Sequence, residues 1–509
     1  MSNSILFSGT ENLPQGETVD EPSFFLDLNL GRIVEAVTAG REEYNLKPFF
    51  YTPLKNIDSI AYRHEVFQDL ENQDLFEQIK LFSENMRAMR RFIEFAGKLH
   101  YKYQKQRFFL DAVEIYCDAV VRLSRDLSFA DLKSSGLSAF RDYATHCVES
   151  DDFTSLLSQT KKLKAELASI KYCMHIKGNC IRVRKYDSET DYSSEVEKTF
   201  DKFRQEAVKN YRADFPDVPN MNHVEAGVLE LVAKLYPEVF SALEDYRAKN
   251  GGFRDETIAL FDREIQFYLA CLEHVRLFAH KGLRFCYPQI DAESREVYVH
   301  EGFDLALANK LVAESAPVVC NDFFLESSQR IFVVSGPNQG GKTTFARMFG
   351  QLHYLGALGC PVPGRKARLY LSDEIFTHFE KEEDIRNLRG KLEDDLVRIH
   401  AILQRATTHS ILIMNEIFTS TSLKDATFLS KEIMDKIMQL DALCVWVTFI
   451  DELASSSEKT VSMVSTVVRE NPALRTFKIV RRSADGLAYA MSIAEKHRVT
   501  YDHLIDRIK

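Results

Sequence analysis

The sequence lacks the features of a secreted, membrane-spanning or disulfide-linked protein. Its nine cysteines are scattered, and no C-x-x-C pair occurs among them, so buried thiols in a reducing compartment are expected rather than a zinc or disulfide framework. No apolar run approaches about 18 residues, the length that crosses a bilayer. The first residues also carry no basic segment followed by an apolar core. These absences predict a cytoplasmic protein with no membrane partner.

Positive charge is also in short supply. The 65 Lys and Arg residues stand against 75 Asp and Glu residues, and the formal net charge of the 509-residue chain is -10. Any contact with nucleic acid must therefore come from a local basic patch and not from the average charge. The hydrophobic fraction of 45% and the charged fraction of 28% are typical of globular proteins, and the length predicts about three domains.

The patterning of apolar residues divides the chain into three regions. Residues 1–45 carry turn formers with little periodicity and are expected to form an irregular arm. Residues 46–295 are mainly helical in pattern. One apolar stripe with helical spacing comprises Ile258, Phe261, Ile265, Leu269, Leu272 and Val275.

Residues 296–509 show a different pattern, in which short continuous apolar runs alternate with helices. Buried strands are predicted at 331–334, 411–414 and 443–447. A helical stripe between the last two strands comprises Ala426, Leu429, Ile433 and Ile437. This alternation predicts a doubly wound parallel sheet.

A basic β-hairpin is predicted within residues 161–186. Apolar and polar residues alternate there on both sides of a Gly178-Asn179 turn. Eight Lys and Arg residues stand against one acid, Glu166, between positions 161 and 185. The candidate DNA contacts, made to phosphates and not to bases, are Lys171, Lys177, Arg182 and Arg184. The alternative is an ordinary solvated strand pair.

The strongest motif is G-P-N-Q-G-G-K-T at residues 336–343, a complete G-x-x-x-x-G-K-[ST] between a predicted strand and a predicted helix. In such a loop the backbone N–H groups cradle phosphates, Lys342 reaches the β- and γ-phosphates, and Thr343 ligates Mg²⁺. ATP and Mg²⁺ are therefore the expected cofactors. The candidate nucleotide-binding residues are Gly336, Pro337, Asn338, Gln339, Gly340, Gly341, Lys342, Thr343 and Thr344.

A second polar pair follows the strand at 411–414. Asn415 stands where a phosphate-binding ATPase usually carries an acid that holds Mg²⁺, and Glu416 is the candidate that orients and deprotonates the attacking water. Thr343 and Asn415 are the candidate metal residues, and Glu416 and Lys342 the candidate catalytic ones. The neutral amide predicts weaker Mg²⁺ binding or slow turnover; the alternative is normal hydrolysis, since Mg²⁺ keeps several waters.

These motifs resemble those of the MutS mismatch-repair family. Residues 336–344 are similar to its GPNMGGKST loop, residues 362–377 to its VPA-x-x-A and D-x-IFTR segment, and residues 415–422 to its DEIGRGTS motif. The resemblance implies an ABC-like α/β P-loop NTPase domain, as in MutS, at the C-terminus, preceded by a mainly α-helical lever and clamp domain. Residues 54–63 resemble the start of that lever domain.

The resemblance also implies a function. It predicts a dimeric ATPase that clamps double-stranded DNA, with closing helices near residues 486–494 and 499–508 that mediate homodimerisation, and possible downstream repair proteins as partners. Because only about 45 residues precede the lever, the family's mismatch-reading and connector domains are expected to be missing. Branched or otherwise unusual duplex DNA is then the expected ligand.

Several positions depart from the family pattern. Arg389-Gly390-Lys391 occupies the place of a Ser-Thr loop that reaches the neighbouring subunit's nucleotide, so Arg389 or Lys391 is a candidate phosphate contact. Phe449 replaces the His of a Thr-His pair, and His378 replaces the Arg of IFTR. These departures and Asn415 keep an alternative open, a nucleotide-gated scaffold that binds ATP, hydrolyses little of it and engages a protein partner.

Overall fold

A computed structural model describes residues 4–8, 20–188, 221–380, 390–468, 471–483, 500–501 and 504–505. The chain divides into two compact units. Unit 1 comprises Met1–Glu71, Lys133–Leu137 and Arg263–Lys509, and unit 2 comprises Asn72–Leu132 and Ser138–Asp262. These limits differ from the predicted boundaries at 45 and 295, because unit 1 combines the N-terminal 71 residues with the C-terminal part of the chain.

The helices in the described part of the chain are α1 (Phe24–Leu28), α2 (Leu30–Thr38), α3 (Lys47–Tyr51), α4 (Ile57–Asp69), α5 (Gln73–Lys98), α6 (Lys102–Phe129), α7 (Ser135–Glu149), α8 (Asp151–Ser169), α9 (His223–Leu235), α10 (Pro237–Lys249), α11 (Glu256–Ala279), α12 (Leu305–Ala313), α13 (Lys342–Ala357), α14 (Lys391–Arg405) and α15 (Leu423–Leu440). Short 3₁₀ turns lie at Glu42–Tyr44 and Asp451–Ser455. Within the described residues, none of these helices combines the length and the apolar character needed to cross a membrane.

The strands are β1 (Tyr172–Lys177), β2 (Cys180–Lys185), β3 (Phe285–Cys286), β4 (Gln289–Asp291), β5 (Val297–Gly302), β6 (Asn321–Leu325), β7 (Ile331–Ser335), β8 (Val362–Pro363), β9 (Lys366–Tyr370), β10 (Ile375–Phe379), β11 (Ile411–Asn415), β12 (Leu443–Val447), β13 (Thr460–Val468) and β14 (Asn471–Arg481). A six-stranded sheet in unit 1 has the order β10-β11-β12-β7-β13-β14. The other sheets among the described residues of this unit are a four-stranded sheet, β4-β9-β5-β6, and the β3-β8 pair.

The central sheet confirms the predicted strands. β7, β11 and β12 are buried along their whole length. The five strands β10, β11, β12, β7 and β13 run parallel to one another, and β14 lies antiparallel to β13 at the edge of the sheet. Val333 of β7 pairs with Trp446 of β12, the only tryptophan of the chain, which is fully buried. Helix α15 covers this core with its predicted stripe, of which Ala426, Ile433 and Ile437 are buried. The apolar runs were therefore sufficient to locate these elements.

The expectation of an irregular arm over residues 1–45 is wrong for residues 24–38. Helices α1 and α2 lie there, separated by Asn29, whose φ of 56° is left-handed. Leu30, Ile33, Val34 and Val37 are buried and have the i, i+3, i+4, i+7 spacing of an amphipathic helix. That signal was present in the sequence, but the neighbouring turn formers obscured it.

The residues at 4–8 are fixed by buried hydrogen bonds within unit 1. The Glu264 carboxylate accepts from the Ser4 hydroxyl and the Ile5 N–H, each at 2.8 Å. The Tyr268 hydroxyl donates to the Ile5 carbonyl at 2.6 Å. Burial raises the pKa of Glu264, whereas the hydrogen bonds from Ser4 and Ile5 act to lower it. The segment is an integral part of the core.

In the part of unit 2 that the structure describes, the elements are helices and one hairpin. α5 and α6, with 26 and 28 residues, follow each other across a three-residue connection and pack together. β1 and β2 form the predicted antiparallel hairpin, in which Met174 pairs with Val183 and Lys177 with Cys180 around Gly178 at a φ of 61°. The helix predicted around Ile258 is also confirmed, as α11.

Candidate nucleotide site

The carboxyl ends of the five parallel strands lie along one edge of the six-stranded sheet. β7 leads into the loop 336–341, and α13 begins directly after it at Lys342. β11 ends at Asn415, next to Phe379 of β10 and Val447 of β12. Ligands of open α/β sheets bind at this edge. The topology therefore brings the motifs at 336–344 and 415–416 together, although about 70 residues of chain separate them.

The shape of the 336–341 loop depends on glycines and on Ser465 of β13. Gly336 and Gly341 have φ values of 114° and 94°, which residues with a Cβ rarely adopt. The fully buried Ser465 hydroxyl donates to the Gly340 carbonyl at 2.7 Å. A Cβ on Gly340 would clash with that hydroxyl. Strand β13 thus forms one wall of the loop.

Lys342 lies inside the loop and is held by its carbonyls. Nζ donates to the Gly336 carbonyl at 3.0 Å, to the Pro337 carbonyl at 3.3 Å and to Oδ1 of Asn338 at 3.2 Å. The side chain is only 4% exposed. Burial lowers the pKa of Lys342, and the charge of Glu416 opposes that shift. The three hydrogen-bond acceptors of this buried ammonium are neutral and only one carboxylate, Glu416, lies near it, so an additional anionic ligand is favourable.

Glu416 faces Lys342 across the sheet edge. Its Oε1 lies 3.5 Å from Lys342 Nζ. Its backbone has a φ of 50°, and its N–H donates to the Val447 carbonyl at 2.9 Å. A left-handed conformation at a non-glycine residue costs energy and persists where neighbouring contacts enforce it. The carboxylate is therefore fixed beside the lysine by the end of β12.

Asn415 is buried at 7% exposure, and no described residue provides a hydrogen bond to its Oδ1. An amide oxygen that is buried without a protein partner is the kind of group that a metal-bound water satisfies. Thr343 follows Lys342 at the start of α13, where a hydroxyl can ligate Mg²⁺ directly. These two residues fit Mg²⁺ as a cofactor: Thr343 would ligate the ion, and Asn415 would bond one of its waters.

Asn415→Asp adds a carboxylate at this position. We expect the Mg²⁺ concentration for half-maximal ATP hydrolysis to fall about tenfold, because a partner of a metal-bound water changes metal affinity by about 10- to 100-fold. A magnesium titration of steady-state hydrolysis measures this, with Asn179→Asp in the exposed hairpin turn as the control for the added charge. An unchanged magnesium dependence and rate would show that the amide is a neutral replacement.

Two of the positions that depart from the expected pattern, Lys391 and His378, lie beside acidic side chains. Lys391 forms an ion pair with Glu380, and Gly390 precedes α14 as its N-cap, while Arg389 lies outside the described residues. His378 is buried, with Nε2 3.3 Å from Asp395 Oδ1. Phe449 is 48% exposed and follows Thr448, whose N–H donates to the Val334 carbonyl at 3.0 Å. A phosphate contact by Lys391 would require it to leave Glu380.

Two residues at the loop were not found by sequence reasoning. Ser465 and Arg475 lie on β13 and β14 and belong to no motif. Arg475 Nε donates to the Asn338 carbonyl at 3.3 Å. Only the pairing of β13 with β7 brings this part of the chain to the loop, and a sequence signal for that pairing is absent.

The basic hairpin of unit 2 is a separate candidate surface. Lys177 of β1 and Arg182 and Arg184 of β2 lie on one face, on which His175 pairs with Arg182. All four side chains are exposed. Lys171 precedes β1, and its carbonyl accepts from the Tyr236 hydroxyl at 2.5 Å. The four residues predicted to contact DNA are therefore grouped at or beside this hairpin.

The opposite face of the hairpin is apolar. Val183 packs against the cluster of Val232, Ala233 and Phe240. This contact holds the hairpin against α9 and α10. Met174 and Ile176 are 46% and 66% exposed. The basic patch is smaller than the residue count indicated, because Lys164 of α8 forms ion pairs with Asp111 and Glu114.

Comparison with known proteins supports the class of domain that this sheet defines. Residues 332–506 match the family model for MutS domain V, and the mixed sheet with its helices is consistent with an α/β ATPase domain. This match comprises the loop, the Asn415-Glu416 pair and strands β7 and β10–β14.

The chain is similar to DNA mismatch repair protein MutS of several bacteria. It is 28% identical to that of Zymomonas mobilis over 200 residues, 38% of this chain and 23% of the relative. It is 28% identical to that of Chlorobaculum tepidum over 215 residues, 42% of this chain and 24% of the relative. For Halalkalibacterium halodurans the identity is 27% over 189 residues, 36% of this chain and 22% of the relative.

These matches support a relationship with the MutS family over the C-terminal part of the chain. Each match covers less than a quarter of the length of the relative. The predicted closing helix at 486–494 lies outside the described residues, as does most of 499–508.

Proposed function

We propose that the protein is a MutS-like ATPase that couples ATP binding and hydrolysis to clamping on double-stranded DNA, as a homodimer. The observation that carries the proposal is the placement of Lys342 and Glu416 at 3.5 Å from each other, at the edge of a sheet whose sequence matches MutS domain V. The basic hairpin supports the DNA part of the proposal, and branched duplex is among the ligands to be tested.

Each residue of the site has a separate role in ATP hydrolysis. Backbone N–H groups of 336–341 and the start of α13 bind the phosphates, and Lys342 exchanges its carbonyl partners for the β- and γ-phosphates. Glu416 orients a water against the γ-phosphorus and accepts its proton, so that ADP and inorganic phosphate result. Thr343 would ligate Mg²⁺ with help from Asn415, and the ion would supply positive charge to the phosphate oxygens.

The coupling is tested by measuring the affinity for homoduplex, mismatched and branched DNA with and without ATP. We expect ATP to change the affinity for at least one of these forms, and Lys342→Ala to remove the change while leaving nucleotide-free affinity intact. If ATP alters the affinity for none of these DNA forms, the proposal that ATP binding is coupled to clamping on DNA is contradicted. A separate measurement of ATP binding then shows whether the nucleotide site itself is functional.

Arg182 and Arg184 are expected to set the salt dependence of DNA binding. Each phosphate contact contributes about -0.9 to the slope of log affinity against log salt, so replacing both arginines by glutamine flattens the slope by about 2. Arg122→Gln with Arg125→Gln, both exposed on α6, is the matched control. The slope is obtained from binding isotherms at several salt concentrations, and an unchanged slope would identify the hairpin as a solvated strand pair.

A second function is favoured by Asn415. A neutral residue where a carboxylate is usual weakens the electrostatic support for Mg²⁺, and Gly390 provides no hydroxyl toward a second nucleotide. Both features fit a nucleotide-gated scaffold that hydrolyses ATP slowly and engages a protein partner. Tight ATP binding with hydrolysis no faster than that of Lys342→Ala would favour this function.

A further inference from the structure

The connection between α5 and α6 borders a cavity in unit 2. The segment from Lys98 to Arg107 interleaves aromatic and basic side chains, and α6 begins within it at Lys102. A cavity of about 220 Å³ lies beside this segment. Its lining includes Tyr101, Lys102 and Tyr103 from the connection and Leu229, Glu230 and Lys234 from α9. All of these residues belong to the same compact unit.

The cavity has the size and the walls of a site for a flat aromatic ring. An engineered apolar cavity of about 150 Å³ holds benzene, so the larger volume here has room for a nucleobase. Tyr101 is half-buried, and its ring lies 5.3 Å from the ring of His100 in an edge-to-face contact. The ring of Tyr103 is held by Phe240, with the ring centroids 4.8 Å apart. Aromatic side chains at the wall of such a cavity are surfaces on which bases stack.

Charged groups at the same cavity suit the other parts of a nucleotide. Lys234 is exposed, and within the described residues its ammonium forms neither an ion pair nor a hydrogen bond, so it can contact a phosphate. Lys102 is already paired with Glu244 at 2.7 Å. Glu230 presents carboxylate oxygens, which accept hydrogen bonds from the N–H groups of a base edge.

The cavity and the basic hairpin share one apolar cluster. Tyr103 packs against the cluster on α9 and α10, and Val183 of β2 packs against the same cluster. Lys185 of β2 lies with Nζ 5.0 Å from the centroid of the Tyr236 ring, between α9 and α10. The candidate phosphate-binding surface and the aromatic cavity are therefore built on the same two helices.

We propose that this cavity binds one unpaired nucleobase of DNA, which stacks on Tyr101 while a neighbouring phosphate contacts Lys234. The proposal rests on the DNA binding proposed above, and it names the class of DNA as a duplex with an unpaired nucleotide beside it, as at a gap or a branch. A base inside a duplex is stacked and paired, whereas a base at a gap is already free to enter a pocket. Preference for such DNA then comes from stacking, which tolerates any base sequence.

Four variants test the cavity. Tyr101→Ala removes the ring, Tyr101→Phe keeps it, and Leu229→Trp fills the cavity from the side of α9. Phe129→Leu is the matched control, because it removes an aromatic ring that is 85% exposed at the other end of α6. Thermal unfolding checks that each variant is folded.

The affinities for a homoduplex and for the same duplex with a single-stranded gap are measured for each variant. For Tyr101→Ala we expect the affinity for gapped DNA to fall about 5- to 150-fold, the loss typical of one stacked base, and Leu229→Trp should weaken it as well. Homoduplex affinity should stay within about twofold, since it depends on phosphate contacts. Tyr101→Phe and Phe129→Leu should bind as the unmodified protein does. A photoreactive 5-iododeoxyuridine in the gap should cross-link to Tyr101, and Leu229→Trp should abolish the cross-link.

Three results would overturn the proposal. Gapped-DNA affinities of Tyr101→Ala and Leu229→Trp equal to that of the unmodified protein would leave DNA binding standing without the cavity. Equal losses for gapped DNA and homoduplex would mean that Tyr101 only supports the hairpin. If the unmodified protein binds neither DNA form, the DNA-binding function itself fails. In that case, binding of deoxyadenosine monophosphate that Tyr101→Ala removes would assign the cavity to free nucleotides and not to DNA.

Discussion

Glu416→Gln lowers kcat for ATP hydrolysis by about 10²- to 10⁴-fold and leaves ATP bound, because the amide cannot accept a proton from the attacking water. The substitution preserves the size of the side chain and the left-handed backbone at φ 50°. It also removes a negative charge 3.5 Å from Lys342 Nζ, which otherwise opposes the incoming phosphates. ATP affinity should therefore be unchanged or higher.

Steady-state hydrolysis and equilibrium binding of ATP separate these two effects. Glu452→Gln is a suitable control, since Glu452 makes an exposed ion pair with Lys431 at the surface of the same unit. Comparable turnover in the two variants would mean that another group activates the water. A loss of binding in Glu416→Gln would instead give Glu416 a structural part in forming the loop.

Arg63→Met destabilises unit 1 by about 3 kcal/mol or more, because it leaves two buried carbonyls without a donor at a cost of about 1–3 kcal/mol each. Arg63 is fully buried on α4, with Nε donating to the Leu6 carbonyl at 3.0 Å and Nη1 to the Leu358 carbonyl at 2.7 Å. Its guanidinium also lies 5.2 Å from the centroids of the Phe7 and Phe267 rings.

A second effect of the substitution opposes this destabilisation. Burial lowers the pKa of Arg63, and methionine would remove the cost of burying a charge. We expect the loss of hydrogen bonds to outweigh this gain, so that the free energy of unfolding falls. The two carbonyls belong to the backbone at residues 6 and 358, so they stay buried without a donor in the variant. Urea unfolding of Arg63→Met and of Arg32→Met, an exposed arginine on α2, measures the difference. A midpoint for Arg63→Met equal to that of the control would show that the backbone rearranges to satisfy both carbonyls.

Local patterns predicted those parts of the fold that depend on neighbours in sequence. β7, β11 and β12 are buried on both faces, so each is a continuous apolar run that can be recognised without its partners. The β1-β2 hairpin has the alternation and the Gly178 turn that such a structure requires. The loop at 336–343 combines glycines and Lys342 in one short segment, which makes it the clearest part of the candidate site.

Long-range contacts account for what was not predicted. The burial of Ser4 depends on Glu264, 260 positions away, and neither residue belongs to a pattern. Ser465 and Arg475 reach the loop only because β13 pairs with β7, which depends on the whole sheet. The basic patch was overestimated for the same reason, since the acids that neutralise Lys164 lie on α6 and are distant in sequence.

The most direct test of the account is steady-state ATP hydrolysis by the purified protein with homoduplex, mismatched, branched and single-stranded DNA, at two salt concentrations, with Lys342→Ala as the control. The account predicts hydrolysis above the control, stimulation by a duplex form, and a loss of that stimulation at the higher salt concentration as phosphate contacts weaken. Hydrolysis that no DNA changes, or none above the control, would contradict a DNA-coupled ATPase.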